Sequence, residues 1–127
     1  MPLTLHLLPG EFAACRLLPT EPIPAWAGSA VFSSVTRTAD ELSIICPAPP
    51  VPAGVKAERG WRLLKVAGPL DFGMVGVLAS ITAPLAAGGI SLLAVATFDT
   101  DYVLVRAERL EEALRALEAA GHRVRRG

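Results

Sequence analysis

The sequence predicts an α+β fold in which one order of elements, β-α-β-β-α-β, occurs twice. Three observations carry this expectation. Residues 61–127 switch between strand-like and helix-like hydrophobic periods in that order. Residues 1–60 hold short alternating runs broken by proline and glycine, with room only for shrunken helices. Finally, 52% of the 127 residues are hydrophobic and 19% charged, which supports a core and excludes disorder. That length suits one ordinary domain or two small subdomains sharing a core.

In the first half, residues 3–8 and 11–18 flank Pro9-Gly10 and read as a hairpin, with Leu3, Leu5 and Leu7 alternating onto one face. Residues 19–28 contain Pro19, Pro22 and Pro24, so they allow a short helical turn at most, opening near Pro24. Trp26 is expected to plug the core beneath it. A second hairpin covers residues 30–36 and 41–46. Its turn, Arg37-Thr38-Ala39-Asp40, offers the Asp40 carboxylate to the nearby backbone. The PAPPVP run at residues 47–52 reads as a stiff connection, although its PxxP spacing also suits a domain that binds polyproline.

The second half is more regular. Residues 61–67 alternate as a strand. Residues 72–87 predict a helix with Met74, Val77, Leu78, Ile81 and Leu85 on one stripe and Asp71 as N-cap. Pro84 removes the hydrogen bond to Ser80 and should bend or loosen the last turn. Gly88-Gly89 ends the helix. Strands follow at 90–97 and 102–106. A second helix covers 107–120, burying Leu110, Leu114 and Leu117 and pairing Glu111 with Arg115. Residues 122–126 leave room for a last strand. This order is ferredoxin-like, and the first half repeats it weakly, so an internal duplication is expected. Helices would cover one face of each sheet and leave an open face or edge for a partner. The boundary falls at residues 60/61.

Composition narrows the function. Twelve basic residues balance twelve acidic ones, so no global field draws the chain to nucleic acid or anionic lipid. The basic run at 122–126 has no interleaved aromatic residue and reads as a solvated tail. Cys15 and Cys46 lie in apolar patterns and read as small buried hydrophobes. No stretch is long and apolar enough for a membrane span, and MPLTLHLLPG lacks a signal peptide's basic start, so a cytoplasmic protein is expected. His6 and His122 lie far apart in sequence, without metal-ligand spacing. They read as a strand residue and a surface residue after the last helix. Neither a nucleophile motif nor a complete phosphate loop is present, so no catalytic residue, metal or cofactor is expected.

What remains is a binding geometry. The start of the first full helix at residues 71–77, with Phe72, Gly73 and Gly76, offers free amides and the positive end of the helix dipole to a carboxylate. The glycines would let a ligand approach the backbone, and a valine at Gly76 is expected to block it without disturbing the fold. The turn Thr97-Phe98-Asp99-Thr100-Asp101 adds hydroxyls, an aromatic wall and two carboxylates. Plain helix–strand packing at glycine and an ordinary turn remain open readings of the same residues. A small zwitterion fits the combination better than a polyanion does.

The stretches GPLDFGMVGVLASITAPLAAGGISLLAVATFDTDYVLV and ERLEEALRALEAAGH resemble an ACT domain, the regulatory βαββαβ module that binds amino acids, over residues 61–122. The FSSVTRTADELSIICP hairpin resembles the divergent ACT-like half that precedes this module in small bacterial ACT proteins and cytosolic arginine sensors. In those sensors the ligand lies between two ACT units. The resemblance therefore implies one wall from Asp71, Met74, Val77, Thr97, Phe98 and Asp101, with Asp101 facing the ligand's cationic group. The other wall would come from Ser91 and Leu92 of a second copy. Met74 replaces an acidic residue of the arginine sensors and Asp71 a glycine, so the implication is an amino-acid pocket without a commitment to arginine. The expected protein is a non-catalytic, homodimeric amino-acid sensor. Two alternatives are an interaction module with a vestigial pocket that docks a metabolic enzyme, and a small lyase or transferase using Asp99 and Asp101.

Overall fold

A computed structural model describes residues 2–28, 31–68, 70 and 74–126. Its strands are β1 (Thr4–Leu7), β2 (Phe12–Leu17), β3 (Ser34–Arg37), β4 (Leu42–Pro47), β5 (Lys56–Val66), β6 (Leu92–Ala96), β7 (Asp101–Arg106) and β8 (Arg123–Arg126). The helices are α1 (Val77–Ala87) and α2 (Leu110–Ala119), with 3-10 turns at Ala25–Ala27 and Ala107–Arg109. None of the described helices is long and apolar enough to cross a membrane. The chain divides into two compact units. One is Gly10–Trp61, and the other joins Met1–Pro9 to Arg62–Gly127.

The Gly10–Trp61 unit orders its strands β3-β4-β2-β5, all antiparallel. Counted within the unit this is 2-3-1-4, the ferredoxin-like order. The first helix has shrunk to the turn Ala25–Ala27 behind Pro24, as the prolines require. Alternation buries Ala13, Cys15, Leu42, Ile44 and Cys46, and Ala27 with half-buried Trp26 closes over them. Burial pushes both thiols up. Cys46 reaches about 11, mainly by desolvation and secondarily through Cys15, so these cysteines act as core hydrophobes. The proline-rich connection is tied down by Arg59, whose guanidinium donates to the carbonyls of Ala48 and Val51 at 3.1 and 2.9 Å.

The other unit orders its strands β6-β7-β5-β1-β8. Its β5-α1-β6-β7-α2-β8 succession is the βαββαβ order with both helices present. Their apolar stripes, Val77, Ile81 and Leu85 on α1 and Leu110, Leu114 and Leu117 on α2, are buried. Ile81, Leu85 and the α2 residues meet Leu64, Val66, Val103 and Val105 in one core.

The expected hairpin at Pro9-Gly10 does not form. β1 instead runs between β5 and β8, antiparallel to the first (Leu5↔Val66) and parallel to the second (Leu5↔Val124). Leu5 and Leu7 thereby join the core of the larger unit. Residues before Gly10 consequently group with the C-terminal unit, which moves that end of the expected 60/61 division. Residues 123–126 are the paired strand β8 rather than a solvated tail. α1 begins at Val77, five residues later than expected, and its N-cap is Gly76, while Asp71 lies outside the described residues. Glu111 pairs with Arg126 of β8 instead of Arg115, and Arg109 pairs with Glu112.

The two hairpin turns support duplication in detail. In one, the Thr38 N–H and hydroxyl both donate to the Glu41 carbonyl, at 2.9 and 3.5 Å, and the Glu41 N–H returns to the hydroxyl at 3.2 Å. In the other, Thr97 donates twice to the Thr100 carbonyl, at 2.9 Å each, and the Thr100 N–H returns at 3.4 Å. The threonine hydroxyl does what was expected of Asp40.

His122 is 5% exposed, not a surface residue. Pro84 has no N–H, so the Ser80 carbonyl lacks its helical donor. His122 Nε2 lies 2.8 Å from that oxygen, while Nδ1 accepts the Leu3 N–H at 3.1 Å. The ring therefore carries its proton on Nε2 and joins the β1 end to the proline-broken helix. His122→Phe keeps a ring but leaves both backbone groups unpaired. It is expected to lower stability by about 2–4 kcal/mol in urea denaturation, and an unchanged midpoint would contradict this role.

Candidate functional site

A cavity of about 170 Å³ opens beside the β6–β7 turn, lined by Leu70, Met74, Val77 and the run Thr97–Asp101. Three local constraints shape it. The Thr97 hydroxyl closes the turn on Thr100, as described above. The Thr100 hydroxyl then donates to the Val66 carbonyl at 2.7 Å, and Thr100 is 4% exposed. The Leu70 N–H donates to the Asp99 carbonyl at 2.6 Å. Together these bonds hold the turn against the segment that leaves β5.

Gly68 permits this approach. A Cβ there would lie 3.1 Å from Thr100 Cβ and 3.2 Å from the Asp99 carbonyl oxygen. At the cavity, α1 begins at Val77 behind Gly76, which sits at φ +81 with no side chain to cap the helix. The first-turn amides of α1 therefore have no partner within the helix, and their dipole favours an anion. The Asp101 carboxylate borders the same cavity from the start of β7. An anion-favouring helix start and a carboxylate thus border one small space.

Of the expected site residues, the fold brings Met74, Val77, Thr97, Phe98 and Asp101 together around the cavity. Asp71, Phe72 and Gly73 lie outside the described residues. Ser91 and Leu92 do not line it. They lie at the other end of β6, where Leu92 pairs with Val105, whereas Ala96 pairs with Asp101 at the turn. Four residues of strand separate the two ends, about 13 Å. A valine at Gly76 would not leave the fold undisturbed as expected. Nothing lies within 4 Å of where its Cβ would be, but its left-handed backbone strains any β-branched residue, so Gly76→Val would perturb the helix start itself.

The sequence reading missed Leu70, Gly68 and the buried anchor role of Thr100. Gly-Pro at 68–69 was a legible turn signal, but the partner of Thr100 lies 34 residues away in sequence. Thr100→Val preserves shape while removing the hydroxyl from the Val66 carbonyl. The expected result is a loss of about 1–3 kcal/mol in denaturation, with accelerated exchange of the Leu70 amide. Equal stability and exchange would show that the turn is held without this bond.

The comparisons agree with this fold. A family model described as an ACT domain matches residues 56–119, and another, described as an N-terminal domain, matches residues 10–54. A crystal structure of an Agobacterium tumefaciens protein is 39% identical, with coverage of 100% of this chain and 95% of that one and a TM-score of 0.95. A Vibrio cholerae protein of unknown function is 23% identical over 94% of this chain and 90% of that one, at TM-score 0.71. The ligand-free regulatory subunit of aspartate kinase from Thermus thermophilus is 17% identical over 91% and 93%, at TM-score 0.62. The last two likenesses concern the fold alone. No protein of curated function matches the chain. With its C-terminal βαββαβ unit, its shrunken N-terminal repeat and these matches, the chain belongs to the ACT domain family.

Proposed function

We propose that this chain is a non-catalytic regulatory sensor that holds a small amino acid where two copies meet. The observation that carries the reading is the cavity's pairing of an uncapped helix start with a carboxylate, Asp101. Its volume is below the roughly 300–1,000 Å³ of pockets for drug-sized ligands. Such a space suits a small ligand, or half of a site that a second wall completes.

Apolar exposure around the cavity supports the second wall. Phe98 is 80% exposed, Val75 86% and Met74 41%. β6 pairs only with β7 among the described residues and carries Leu-Leu-Ala-Val-Ala, an apolar edge of the kind that recruits a partner. In a homodimer, Ser91 and Leu92 of one copy would face the cavity of the other, and Asp71, Phe72 and Gly73 would contribute to binding the same ligand. The reading assigns no catalytic role to Asp99 or Asp101 and requires no cofactor. Its setting would be the cytoplasm, where amino acids are abundant.

A thermal-shift screen against the twenty amino acids is the first test. A ligand at a hundred times its Kd adds about 2.7 kcal/mol of stability. Asp101→Asn keeps the size of the side chain and removes its charge. Because a half-buried carboxylate–ammonium contact contributes ~1.5–3 kcal/mol, calorimetry with the amino acid found is expected to show binding weakened about ten- to hundredfold. Full affinity in that variant would reduce Asp101 to a turn residue. A screen without any shift would leave the interaction-module alternative in its place.

A further inference from the structure

We propose that the outer edge of β8 docks an extended acidic polypeptide segment by strand addition. The inference begins with register. His6 of β1 stands directly opposite Lys65 of β5 on one side and Arg125 of β8 on the other, and Thr4 stands opposite Arg123. Leu5, Leu64, Val66 and Val124 face the helices, so His6, Lys65, Arg123 and Arg125 share the opposite face. No acidic residue occurs in β1, in β8 or in the β5 stretch that pairs with β1. Adjacent strands lie about 4.8 Å apart, so the backbones of Lys65 and Arg125, on either side of His6, lie about 10 Å apart.

Arg123 and Arg125 of β8 and Lys65 of β5 carry like charge on this one face. Edge protection alone does not account for them. A charged edge strand resists unwanted pairing, but that requires charge only on β8. Here Lys65, two strands further in, carries the same sign. By contrast, Arg126, on the other face, is already neutralised by Glu111.

The backbone adds a second observation. β8 pairs with β1 and with no other strand among the described residues. The Arg123 N–H donates to the Leu3 carbonyl at 2.8 Å, so the backbone groups of Arg123 and Arg125 turn toward β1. Those of Val124 then point outward as an open pairing edge. An added strand would gain main-chain hydrogen bonds there, and acidic side chains at alternate positions would meet Arg123 and Arg125. A nucleic acid fits less well. The row contains no aromatic side chain for base stacking, the chain is neutral in sum, and an open strand edge offers a nucleotide nothing specific. This surface is separate from the amino-acid cavity, and the proposal does not rest on that reading.

The test uses the full chain with a fluorescein-labelled peptide that alternates Glu and Thr, its Gln counterpart, and single-stranded DNA as probes. The Glu peptide is expected to bind in fluorescence anisotropy, to weaken as salt is raised, and to slow hydrogen exchange at the Val124 amide. The doubly reversed variant Arg123→Glu/Arg125→Glu changes exposed side chains only. It is expected to weaken binding about tenfold or more, with circular dichroism confirming that it folds. Failure of the Glu peptide to bind at low salt would overturn the proposal, as would equal binding to the reversed variant or tighter binding of the DNA.

Discussion

The hydrogen bond from the Thr100 hydroxyl to the Val66 carbonyl, 2.7 Å long in a site almost closed to water, is the constraint on which the site depends. It ties the β6–β7 turn to the end of β5. The Leu70–Asp99 bond and the bare Cα of Gly68 then bring the following segment against the turn. Leu70 of that segment lines the cavity together with the turn and the start of α1. A buried hydroxyl that lost its partner would cost more than the bond contributes when made, so the arrangement resists gradual loosening.

Duplication explains why one half of the chain has this cavity and the other reads differently. Both repeats close their hairpin turn with a threonine hydroxyl in the same pattern. In the C-terminal repeat the carbonyl of Asp99 accepts a backbone amide, and a full helix begins nearby. In the N-terminal repeat the carbonyl of Asp40 accepts the Arg16 guanidinium at 2.9 Å, and the Arg37 guanidinium reaches the carbonyl of Pro19. Arginine side chains there take the place of the backbone contact, and prolines reduce the helix to one turn. The N-terminal half keeps the sheet order of the repeat but not the donor-rich helix start.

Most of the fold was legible because period and punctuation are local. The α2 stripe of Leu110, Leu114 and Leu117, the hairpin after Arg37 and the helix stop at Gly88 follow from neighbours in sequence. The place of β1 did not, because Pro9-Gly10 permits a hairpin as readily as an exit, and the choice depends on pairing with Val66 and Val124. His122 was misplaced for the same reason. Its burial depends on Pro84, 38 residues earlier, leaving the Ser80 carbonyl to be filled from outside the helix. At the site, Thr97, Phe98 and Asp101 were readable as one turn. The distant partner of Thr100 was not, and one chain alone does not bring Ser91 and Leu92 to them.

The central claim is that the cavity binds an amino acid only when a second copy completes it. Calorimetric titration of the best amino acid from the thermal screen, repeated across protein concentrations that sedimentation shows to span monomer and dimer, tests it most directly. The account predicts that affinity rises with the dimer fraction and that the ligand in turn drives dimer formation, since the two equilibria are linked. Binding of the same strength to the monomer would contradict it.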